Sequence, residues 1–303
     1  MAILYERVAL IGLGLIAGSM ALAMREHGLA GEVTGYARTE ATRATARRIG
    51  LVDRVCESAA DAVRDADLVV LCVPPGAMAQ VAREIGPALK QGATVTDVGS
   101  VKRAVQDAVA PHLPEGVHFV PGHPLAGTEH SGPEAGFATL FVNRWTILTP
   151  DIDVSREAVE QLIALWQGMG AHVDEMDAEH HDLVLAVTSH APHLIAYTMV
   201  GVADDLSRVT DSEVVKYSAS GFRDFTRIAA SDPVMWRDVF LSNKDAVLEM
   251  LQRFSEDLSV LQRAIRYDKG DELEALFART RNIRRSIVEQ GQDDDAPDFG
   301  RKH

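Results

Sequence analysis

Glycines and small residues near the start of the chain form a pattern that can hold a phosphate-containing ligand. Gly12 permits a tight turn after an apolar run, and Gly14 lets the backbone approach a pyrophosphate closely. Ala17 takes the third position, where a small side chain lets a helix pack against the preceding strand. The N-terminus of that helix supplies backbone N–H donors and the positive end of the helix dipole. Because a strand precedes the loop and a helix follows it, the pattern predicts a dinucleotide site.

The end of the second predicted strand bears on which dinucleotide is bound. An NAD site places Asp or Glu there to accept hydrogen bonds from the ribose 2′-hydroxyl, whereas a 2′-phosphate needs a cation. This chain has Ala37, Arg38 and Thr39 at that place. The missing carboxylate favours NADP over NAD, although Arg38 taken alone is equally an ordinary solvated arginine. The predicted cofactor contacts are Gly12, Gly14, Leu15, Ile16, Ala17, Arg38, Thr39, Val73, Pro74 and Ser100.

Four further segments carry more polar residues than the core of an α/β protein needs. Residues 96–102 read TDVGSVK, at the carboxyl end of a predicted strand, where open sheets bind ligands, and residues 122–132 read GHPLAGTEHSG. In the second half of the chain, residues 189–193 read SHAPH and residues 221–236 read GFRDFTRIAASDPVMW. His190 and His193 would also suit a metal ion, but no carboxylate or cysteine set lies near them in sequence, so no metal is expected.

The elements that must position these residues change in kind near residue 176. Before that point, β-branched runs alternate with helical patterns. Strands are predicted at residues 8–11, 32–36, near 55, 68–73, 94–98, 119–121, 145–149 and 172–176. Helices are predicted at residues 19–26, 40–50, 59–64 and 158–169. This alternation indicates an α/β domain over residues 1–176, with a doubly wound, mostly parallel, Rossmann-like sheet.

Residues 177–290 carry helical patterns only and are predicted to form an all-helical dimerisation domain. A regular apolar seam, with spacings of four and three, consists of Val247, Leu251, Phe254, Leu258, Leu261 and Ile265. Such a seam must be buried against another helix, either within the chain or in a second copy. We favour the second copy and therefore expect a homodimer. The acidic tail, residues 291–303, is predicted to be disordered.

Composition narrows the class of protein. The 303 residues suffice for two domains, and 47% hydrophobic with 24% charged residues is typical of a folded globular protein. The net charge of −14 argues against nucleic acid and an anionic membrane as partners. Cys56 and Cys72 are too few for a disulfide framework or a zinc cage, so a reducing cytoplasm is expected. The apolar run at residues 8–24 has neither the basic start of a secretory signal nor the length of a membrane span.

In their order and spacing, the glycine loop and the four polar segments resemble the prephenate/arogenate (cyclohexadienyl) dehydrogenase family. The resemblance extends from about residue 8 to about residue 287. It implies a Rossmann-like domain and a helical dimerisation domain, with the active site in the cleft between them. It also implies oxidative decarboxylation of prephenate to 4-hydroxyphenylpyruvate, or of arogenate to tyrosine, with hydride transfer to NAD(P)⁺. Because loss of CO₂ makes the ring aromatic, that step needs neither a metal nor an electron-sink cofactor.

The resemblance implies roles for individual residues. His123 is the expected base at the ring hydroxyl, since a neutral imidazole accepts a proton near neutral pH; the alternative is a loop histidine with a structural hydrogen bond. Ser100 is expected to hydrogen-bond the same hydroxyl and approach the nicotinamide, a role compatible with capping a helix that begins at Val101. Arg227 is expected to hold the ring carboxylate in a bidentate contact. The remaining predicted substrate contacts are His193, Ser189, Thr128, Glu129 and Trp236.

Substrate preference and regulation stay open at this point. Glu129 or Glu134 would pair with the amine of arogenate if either faces the pocket, and both are otherwise solvated. We expect no separate regulatory domain, so tyrosine, if it inhibits, would bind at the active site as a product analogue. Two rival functions are another two-domain NAD(P)-dependent β-hydroxyacid-type dehydrogenase and a non-catalytic nucleotide-sensing dimer. The first would lack GHPLAGTE together with the distant Arg227, and the second would show no turnover.

Overall fold

The computed structural model describes residues 3–128, 130–207 and 219–289. The chain divides into two compact units, Met1–Val247 and Leu248–His303. The strands of the described chain all belong to the first unit, together with the helices up to residue 247. The tail predicted to be disordered lies outside the described residues.

A six-stranded parallel sheet forms the centre of the first unit. Its strands are β1 (Tyr5–Ile11), β2 (Ala30–Tyr36), β3 (Arg54–Val55), β4 (Leu68–Leu71), β5 (Thr94–Asp97) and β6 (His118–Phe119). The strand order β3-β2-β1-β4-β5-β6 is that of a Rossmann fold and confirms the predicted class. The order reverses between β1 and β4, and in such sheets a dinucleotide binds outside the carboxyl ends of the strands at that point.

Helices connect these strands. They are α1 (Leu15–His27), α2 (Glu40–Ile49), α3 (Ala59–Val63), α4 (Met78–Ile85) and α5 (Arg103–Val109). Thr39 and Ser58 cap α2 and α3, since each hydroxyl accepts a backbone N–H three residues further on. The first helix begins four residues before the predicted start at Ser19, because Gly14 is itself the N-cap and the helix follows it directly.

After β6 the chain continues into a second, three-stranded sheet. It consists of β7 (Gly122–Pro124), β8 (Trp145–Leu148) and β9 (His172–Glu175), in that order, with α6 (Arg156–Gly168) between the last two. The sequence predicted a single strand at residues 119–121, but the structure has two strands that flank Pro121. Val120 still donates to the carbonyl of Val95, whereas Pro121 has no N–H and cannot continue the ladder. The chain leaves the first sheet there and enters the second.

Apolar side chains cover the first sheet in two separate clusters. One contains Met20 and Met24 of α1 together with Phe141 and Trp166, whose rings meet edge to face at 5.2 Å. The other contains Met78 of α4, and it extends to Trp236 in the helical segment that follows the sheets. That helical segment therefore shares a core with the nucleotide-binding sheet.

A nearly continuous helical stretch follows the second sheet. It consists of α7 (Ala178–Leu185), a π-helical segment (Ala186–His190) and α8 (Ala191–Ser207). Pro192 accounts for the π-helical segment, because it lacks an N–H and its ring would clash with the Thr188 carbonyl in a regular α-helix. By length and composition, residues Ala178–Leu206 would be able to cross a membrane. However, this stretch also carries buried polar residues, which are described below with the site.

Two shorter helices follow α8 in the part of the chain that the structure describes. They are α9 (Ser220–Thr226) and α10 (Pro233–Ser242). Asp232 caps α10 by accepting the N–H of Met235, and Pro233 occupies the first helical position, where its missing N–H costs nothing.

Two long helices, α11 (Lys244–Arg266) and α12 (Gly270–Glu289), carry the chain into the second unit. The predicted apolar seam lies on α11. Its first residue, Val247, is buried, whereas Leu258 is 44% exposed and Ile265 is 65% exposed. Phe277 and Ile283 of α12 are also exposed by more than half. The chain by itself thus leaves part of the seam uncovered.

Candidate active site

The glycine loop has a geometry that only glycine can supply at its first position. Gly12 has φ +101°, and a Cβ there would lie 2.3 Å from the carbonyl oxygen of Cys72 and 3.0 Å from Val73. The Gly12 N–H donates to the carbonyl of Tyr36 at 2.8 Å. Gly12 therefore fixes the turn between β1 and α1 against the end of β4, as its place in the sequence predicted.

Gly14 faces open space at the start of α1. A Cβ at Gly14 would meet nothing within 4 Å. Gly14 is the N-cap, no side chain caps the helix, and the first turn has no acidic residue, so its N–H groups are available to an anion. Leu15 and Ile16, in that first turn, are half-buried, and Ala17 is fully buried. This cradle fits the pyrophosphate of a dinucleotide, which would lie against the backbone at Gly14.

Residues 37–39, which follow β2, differ in their contacts. Thr39 caps α2, whereas Arg38 is exposed to solvent. Arg43, which the sequence analysis did not single out, donates to the carbonyls of Ala37 and Arg38 at 2.8 and 3.1 Å. Its guanidinium also lies 5.7 Å from the centre of the Tyr36 ring. The segment after β2 thus exposes Arg38, whose carbonyl is held by Arg43, and positions 37–39 hold no carboxylate.

His123 is buried on β7. The sequence predicted a loop here, but residues 122–124 pair with β8, and His123 lies opposite Ile147. Its side chain is 7% exposed, and its Nδ1 lies 2.8 Å from Nε2 of His181 on α7. Burial, followed by the neighbouring His181 and Lys102, holds the pKa of His123 well below its ordinary value. His123 is therefore neutral near pH 7 and able to accept a proton.

Asp182 links this histidine pair to α5. Its Oδ1 lies 2.8 Å from Nδ1 of His181. The same carboxylate accepts the backbone N–H groups of Lys102 and Arg103 at 2.7 and 3.0 Å. Burial alone would raise the pKa of Asp182, but the hydrogen bonds from His181 and the two backbone groups outweigh burial and lower it.

This arrangement corrects the prediction that Ser100 caps a helix beginning at Val101. The helix α5 begins at Arg103 and its N-cap position is Lys102, which has no side-chain cap of its own. Asp182, from another helix, supplies the acceptor instead. Ser100 lies in the turn before the helix, half-buried, and its backbone lies beside His190. Its predicted contact with substrate and nicotinamide stays a prediction.

A buried ion pair underlies the turn that carries Ser100. Lys102 is fully buried; its Nζ donates to Asp97 and, at 2.6 Å, to the carbonyl of Gly122. Asp97 also accepts the N–H groups of Gly99 and Gly122 at 2.7 and 3.2 Å. Burial raises the pKa of Asp97 and lowers the pKa of Lys102, while the contact between them acts in the opposite direction. The pair ties the carboxyl end of β5 to the strand that carries His123.

The opposite wall of the site consists of aromatic and imidazole rings. The rings of His193 and Trp236 are stacked, with their centres 3.6 Å apart, and His190 meets Trp236 edge to face at 6.1 Å. Asn243 donates to Nδ1 of His190 at 3.1 Å and to the carbonyl of Asp182 at 2.8 Å. Burial lowers the pKa of His190 to about 4. Trp236, which the sequence left between pocket wall and core, is 6% exposed and belongs to a core cluster, and its contact with substrate stays a prediction.

His193 lies within electrostatic reach of Arg227, and the substrate contacts predicted for both residues stay predictions. Nδ1 of His193 donates to the carbonyl of Ser189 at 2.9 Å. Burial lowers the pKa of His193, and the charge of Arg227 adds to that effect. Arg227 itself lies at the end of α9 and is exposed. Within the described residues there is no group of three or more potential metal-binding side chains. Nδ1 of His190 accepts from Asn243, whereas Nδ1 of His193 donates to the carbonyl of Ser189.

The remaining candidates lie on the segment after β7. Thr128 is exposed, and its hydroxyl accepts the N–H of His130 at 3.2 Å. Glu129 lies outside the described residues. Glu134 forms an exposed ion pair with Arg48 of α2 at 2.7 Å. That partner places Glu134 against the nucleotide-side helices, so it is a poor candidate for the amine of arogenate.

Fold and site together define a class of protein. A Rossmann sheet with a glycine cradle lies beside a buried neutral histidine, and a wall of polar rings from the helical segment completes the site. This combination is that of a dinucleotide-dependent dehydrogenase.

Comparisons with known proteins give the family. Residues 20–175 match the nucleotide-binding domain of prephenate dehydrogenase, and residues 177–279 match the prephenate dehydrogenase dimerization domain. The chain belongs to the prephenate dehydrogenase family.

Individual relatives agree with this assignment. A cyclohexadienyl dehydrogenase of Zymomonas mobilis is 42% identical over 93% of this chain and 96% of its own length. A prephenate dehydrogenase of Bacillus subtilis is 36% identical over 90% of this chain and 72% of its own length. The crystal structure of prephenate dehydrogenase from A. aeolicus, in complex with hydroxyphenyl propionate and NAD⁺, superimposes with a TM-score of 0.86 at 33% identity, covering 93% of this chain and 98% of that one. Synechocystis arogenate dehydrogenase gives a TM-score of 0.78 at 26% identity, covering 93% and 100%.

Proposed function

We propose that this chain catalyses the NAD(P)⁺-dependent oxidative decarboxylation of prephenate, arogenate or both, in tyrosine biosynthesis. The observation that carries the proposal is His123: a buried, neutral imidazole whose Nδ1 is engaged by His181 at 2.8 Å, next to the carboxyl end of β5. Family membership supports the same reaction. The relatives act, by their names, on prephenate or arogenate, and one of them binds NAD⁺.

The reaction needs a base, a clamp for the anionic substrate and a hydride acceptor. His123 takes the proton of the C4 hydroxyl as C4 gives up its hydride, which a bound nicotinamide would accept, and the C1 carboxylate leaves as CO₂ while the electrons of its bond complete the aromatic ring. His123 then returns the proton to the phenolate oxygen, so that the product is a phenol. Ser100 orients the hydroxyl. Arg227 holds the ring carboxylate, His193 and Ser189 contact the side chain, and Trp236, Thr128 and Glu129 complete the pocket. Bound at the glycine cradle, the dinucleotide supplies only the hydride acceptor.

Replacement of His123 tests this proposal. His123→Asn is expected to lower kcat by about 10²–10⁴-fold while leaving dinucleotide binding nearly unchanged, since the lost group is a general base. His172→Asn, at an exposed histidine of β9, is the matched control. Turnover is followed by absorbance at 340 nm with prephenate and with arogenate. A wild-type protein that turns over neither substrate would contradict the proposed function and favour a nucleotide sensor.

We further propose NADP as the preferred cofactor. The support is the lack of a carboxylate at residues 37–39 and the exposed Arg38, whose carbonyl is held by Arg43. Arg38→Ala should weaken NADP⁺ binding by about tenfold, the loss of one charge-assisted contact, and leave NAD⁺ binding unchanged. Arg47→Ala, at an arginine already paired with Glu40, is the control. Tighter binding of NAD⁺ than of NADP⁺ by the wild type would overturn this preference.

We propose that the enzyme is a homodimer. The support is the dimerization domain that matches residues 177–279 and the exposed apolar side chains of α8, α11 and α12. Among them are Val202 and Leu206 of α8, together with Leu258, Ile265 and Phe277. An interface between copies accounts for that exposure without a membrane. Sedimentation equilibrium at micromolar concentration tests this proposal, and a monomer would refute it.

Two further expectations concern the substrate side chain and the cell. Glu129 is the carboxylate that we propose for the amine of arogenate; Glu129→Gln should lower kcat/KM for arogenate relative to prephenate, with Glu134→Gln as the control. Tyrosine, if it inhibits, is proposed to act at the active site, so its inhibition should be competitive with the substrate. We place the enzyme in the cytoplasm because both cysteines are free. Fractionation of cells would test that location.

A further inference from the structure

We propose that His181 and Asp182 form a relay behind His123 that fixes its tautomer and receives its proton. The inference rests on the proposed role of His123 as the base. The relay consists of the contacts Asp182–His181 and His181–His123, each 2.8 Å long. His181 and Asp182 are positioning residues, since neither needs to touch the substrate.

The direction of every hydrogen bond in the relay follows from Asp182. Its Oδ1 accepts the N–H of Lys102 and its Oδ2 accepts the N–H of Arg103, and hydrogen bonds donated to both oxygens favour the ionised carboxylate. The lowered pKa of Asp182 agrees with an ionised group. Because this carboxylate only accepts, Nδ1 of His181 must carry a hydrogen and donate to it.

The tautomer of His123 is then determined. His181 is neutral, since burial lowers its pKa, so its Nε2 has a lone pair and accepts. The partner of that lone pair is Nδ1 of His123, which must therefore carry the hydrogen. Nε2 of His123 is left as the basic atom. The relay thus selects the tautomer that can take a proton from the substrate.

The same contacts give the proton a second position. When Nε2 of His123 takes the hydroxyl proton, the hydrogen on Nδ1 crosses to Nε2 of His181. His123 becomes neutral again in its other tautomer, and His181 becomes the imidazolium. One proton enters the pair in this step, and the reverse transfer returns it to the phenolate oxygen of the product. The positive charge then lies against the Asp182 carboxylate rather than on His123.

The charged groups around the pair favour this transfer. Burial, His181, Lys102 and His190 all lower the pKa of His123. Burial and Lys102 also act on His181, but Asp182 and Asp97 raise its pKa in opposition. Of the two rings, His181 is therefore the better place for a cation. His123, which burial keeps neutral, can therefore act as a base while the positive charge forms on His181.

Asp182→Asn is the first test. The carboxamide can donate to Nδ1 of His181, which allows His181 to hold its hydrogen on Nε2 and reverses the tautomer of His123. We expect kcat to fall by about 10²–10⁴-fold, as for other bases held in the wrong tautomer. Ring ¹⁵N chemical shifts of labelled histidine should show hydrogen on Nδ1 of His123 in the wild type and on Nε2 in the variant. His180→Gln, at the exposed neighbouring histidine, should change neither measurement.

Asp182 also caps α5, so a second variant separates the relay from stability. In His181→Gln the amide oxygen still accepts from Nδ1 of His123 but takes no proton. We expect kcat to fall about 10–100-fold with KM unchanged, and the acid limb of the kcat/KM profile to move to lower pH. Without a relay the limb would not move to lower pH, because the loss of His181 removes a group that lowers the pKa of His123.

Either of two results would overturn the relay. One is hydrogen on Nε2 of His123 in the wild-type ¹⁵N spectrum. The other is a folded Asp182→Asn or His181→Gln variant with kcat within threefold of the wild type. The spectrum is recorded on the enzyme without substrate, so it tests the relay even if neither prephenate nor arogenate is turned over. Failure of the proposed function and failure of the relay are therefore distinguishable.

Discussion

Gly12, Gly14 and Gly28 occupy different surroundings, and replacing each with alanine separates the effects of backbone strain, packing and cofactor binding. Gly28 ends α1 with φ +64° and has open space around it, so Gly28→Ala carries only the cost of the left-handed conformation. That cost is roughly 1–2 kcal/mol. Gly12 has φ +101° and in addition lies so close to Cys72 that a Cβ would be 2.3 Å from its carbonyl oxygen. Moving that backbone adds about 1–3 kcal/mol.

Gly12→Ala is therefore expected to destabilise the protein by about 2–5 kcal/mol. At about 2 °C per kcal/mol for a chain of this size, Tm should fall by about 4–10 °C, against about 2–4 °C for Gly28→Ala. Gly14→Ala should leave the Tm of the cofactor-free protein unchanged or slightly higher, because its Cβ meets nothing within 4 Å and alanine loses less chain entropy. The same Cβ would stand between the helix N-terminus and the pyrophosphate, so dinucleotide binding should weaken by at least about tenfold.

Thermal unfolding of the three variants without cofactor, and titration calorimetry with NAD⁺ and NADP⁺, measure these effects. Equal losses of Tm in Gly12→Ala and Gly28→Ala would show that the contact with Cys72 does not constrain the loop. A Gly14→Ala protein that binds both dinucleotides as the wild type does would remove the glycine cradle as the pyrophosphate site. In that case the reasoning from φ angles and Cβ positions fails where the ligand is concerned.

Three further predictions concern stability and assembly. Burial lowers the pKa of His190 to about 4, so between pH 6.5 and 4 the unfolded chain binds a proton that the folded chain does not bind. The free energy of unfolding should therefore fall by up to about 3 kcal/mol as the pH drops from 6.5 to 4. Urea unfolding of His190→Gln should show a smaller decline. Lys102→Met leaves Asp97 buried without its cation and should destabilise the protein by about 3–5 kcal/mol, whereas adding Asp97→Asn should recover part of the loss; a neutral Lys102→Met would contradict the buried pair. Leu258→Glu with Ile265→Glu should convert the dimer to monomer in sedimentation, and an unchanged dimer would place the interface elsewhere.

The parts of the fold that depend on local pattern were predictable. The alternation of strands and helices predicted the Rossmann class, and the glycines at positions 12 and 14 predicted the turn between β1 and α1. Element ends were less accurate where a single residue decides them. Pro121 splits a predicted strand between two sheets, because one missing N–H ends the ladder.

The parts of the site that depend on distant contacts were not predictable. Asp182 caps a helix about eighty residues earlier in the chain, and nothing in the local sequence His-His-Asp distinguishes it from an exposed helical acid. Asn243, which holds both His190 and the Asp182 carbonyl, is likewise an ordinary residue between two helices. A buried polar group needs a partner, but the sequence does not reveal which one until the fold brings them together.

The π-helical segment at Ala186–His190 determines how α8, which follows it, is rotated about the helix axis. A π turn holds one residue more than an α turn, so α8 leaves it turned by about 100° compared with an uninterrupted α-helix. In this orientation the rings of His190 and His193 both contact Trp236. Grafting a straight helix onto α7, or trimming one residue from this segment to regularise it, would keep the helix intact and aim its imidazoles at the wrong neighbours.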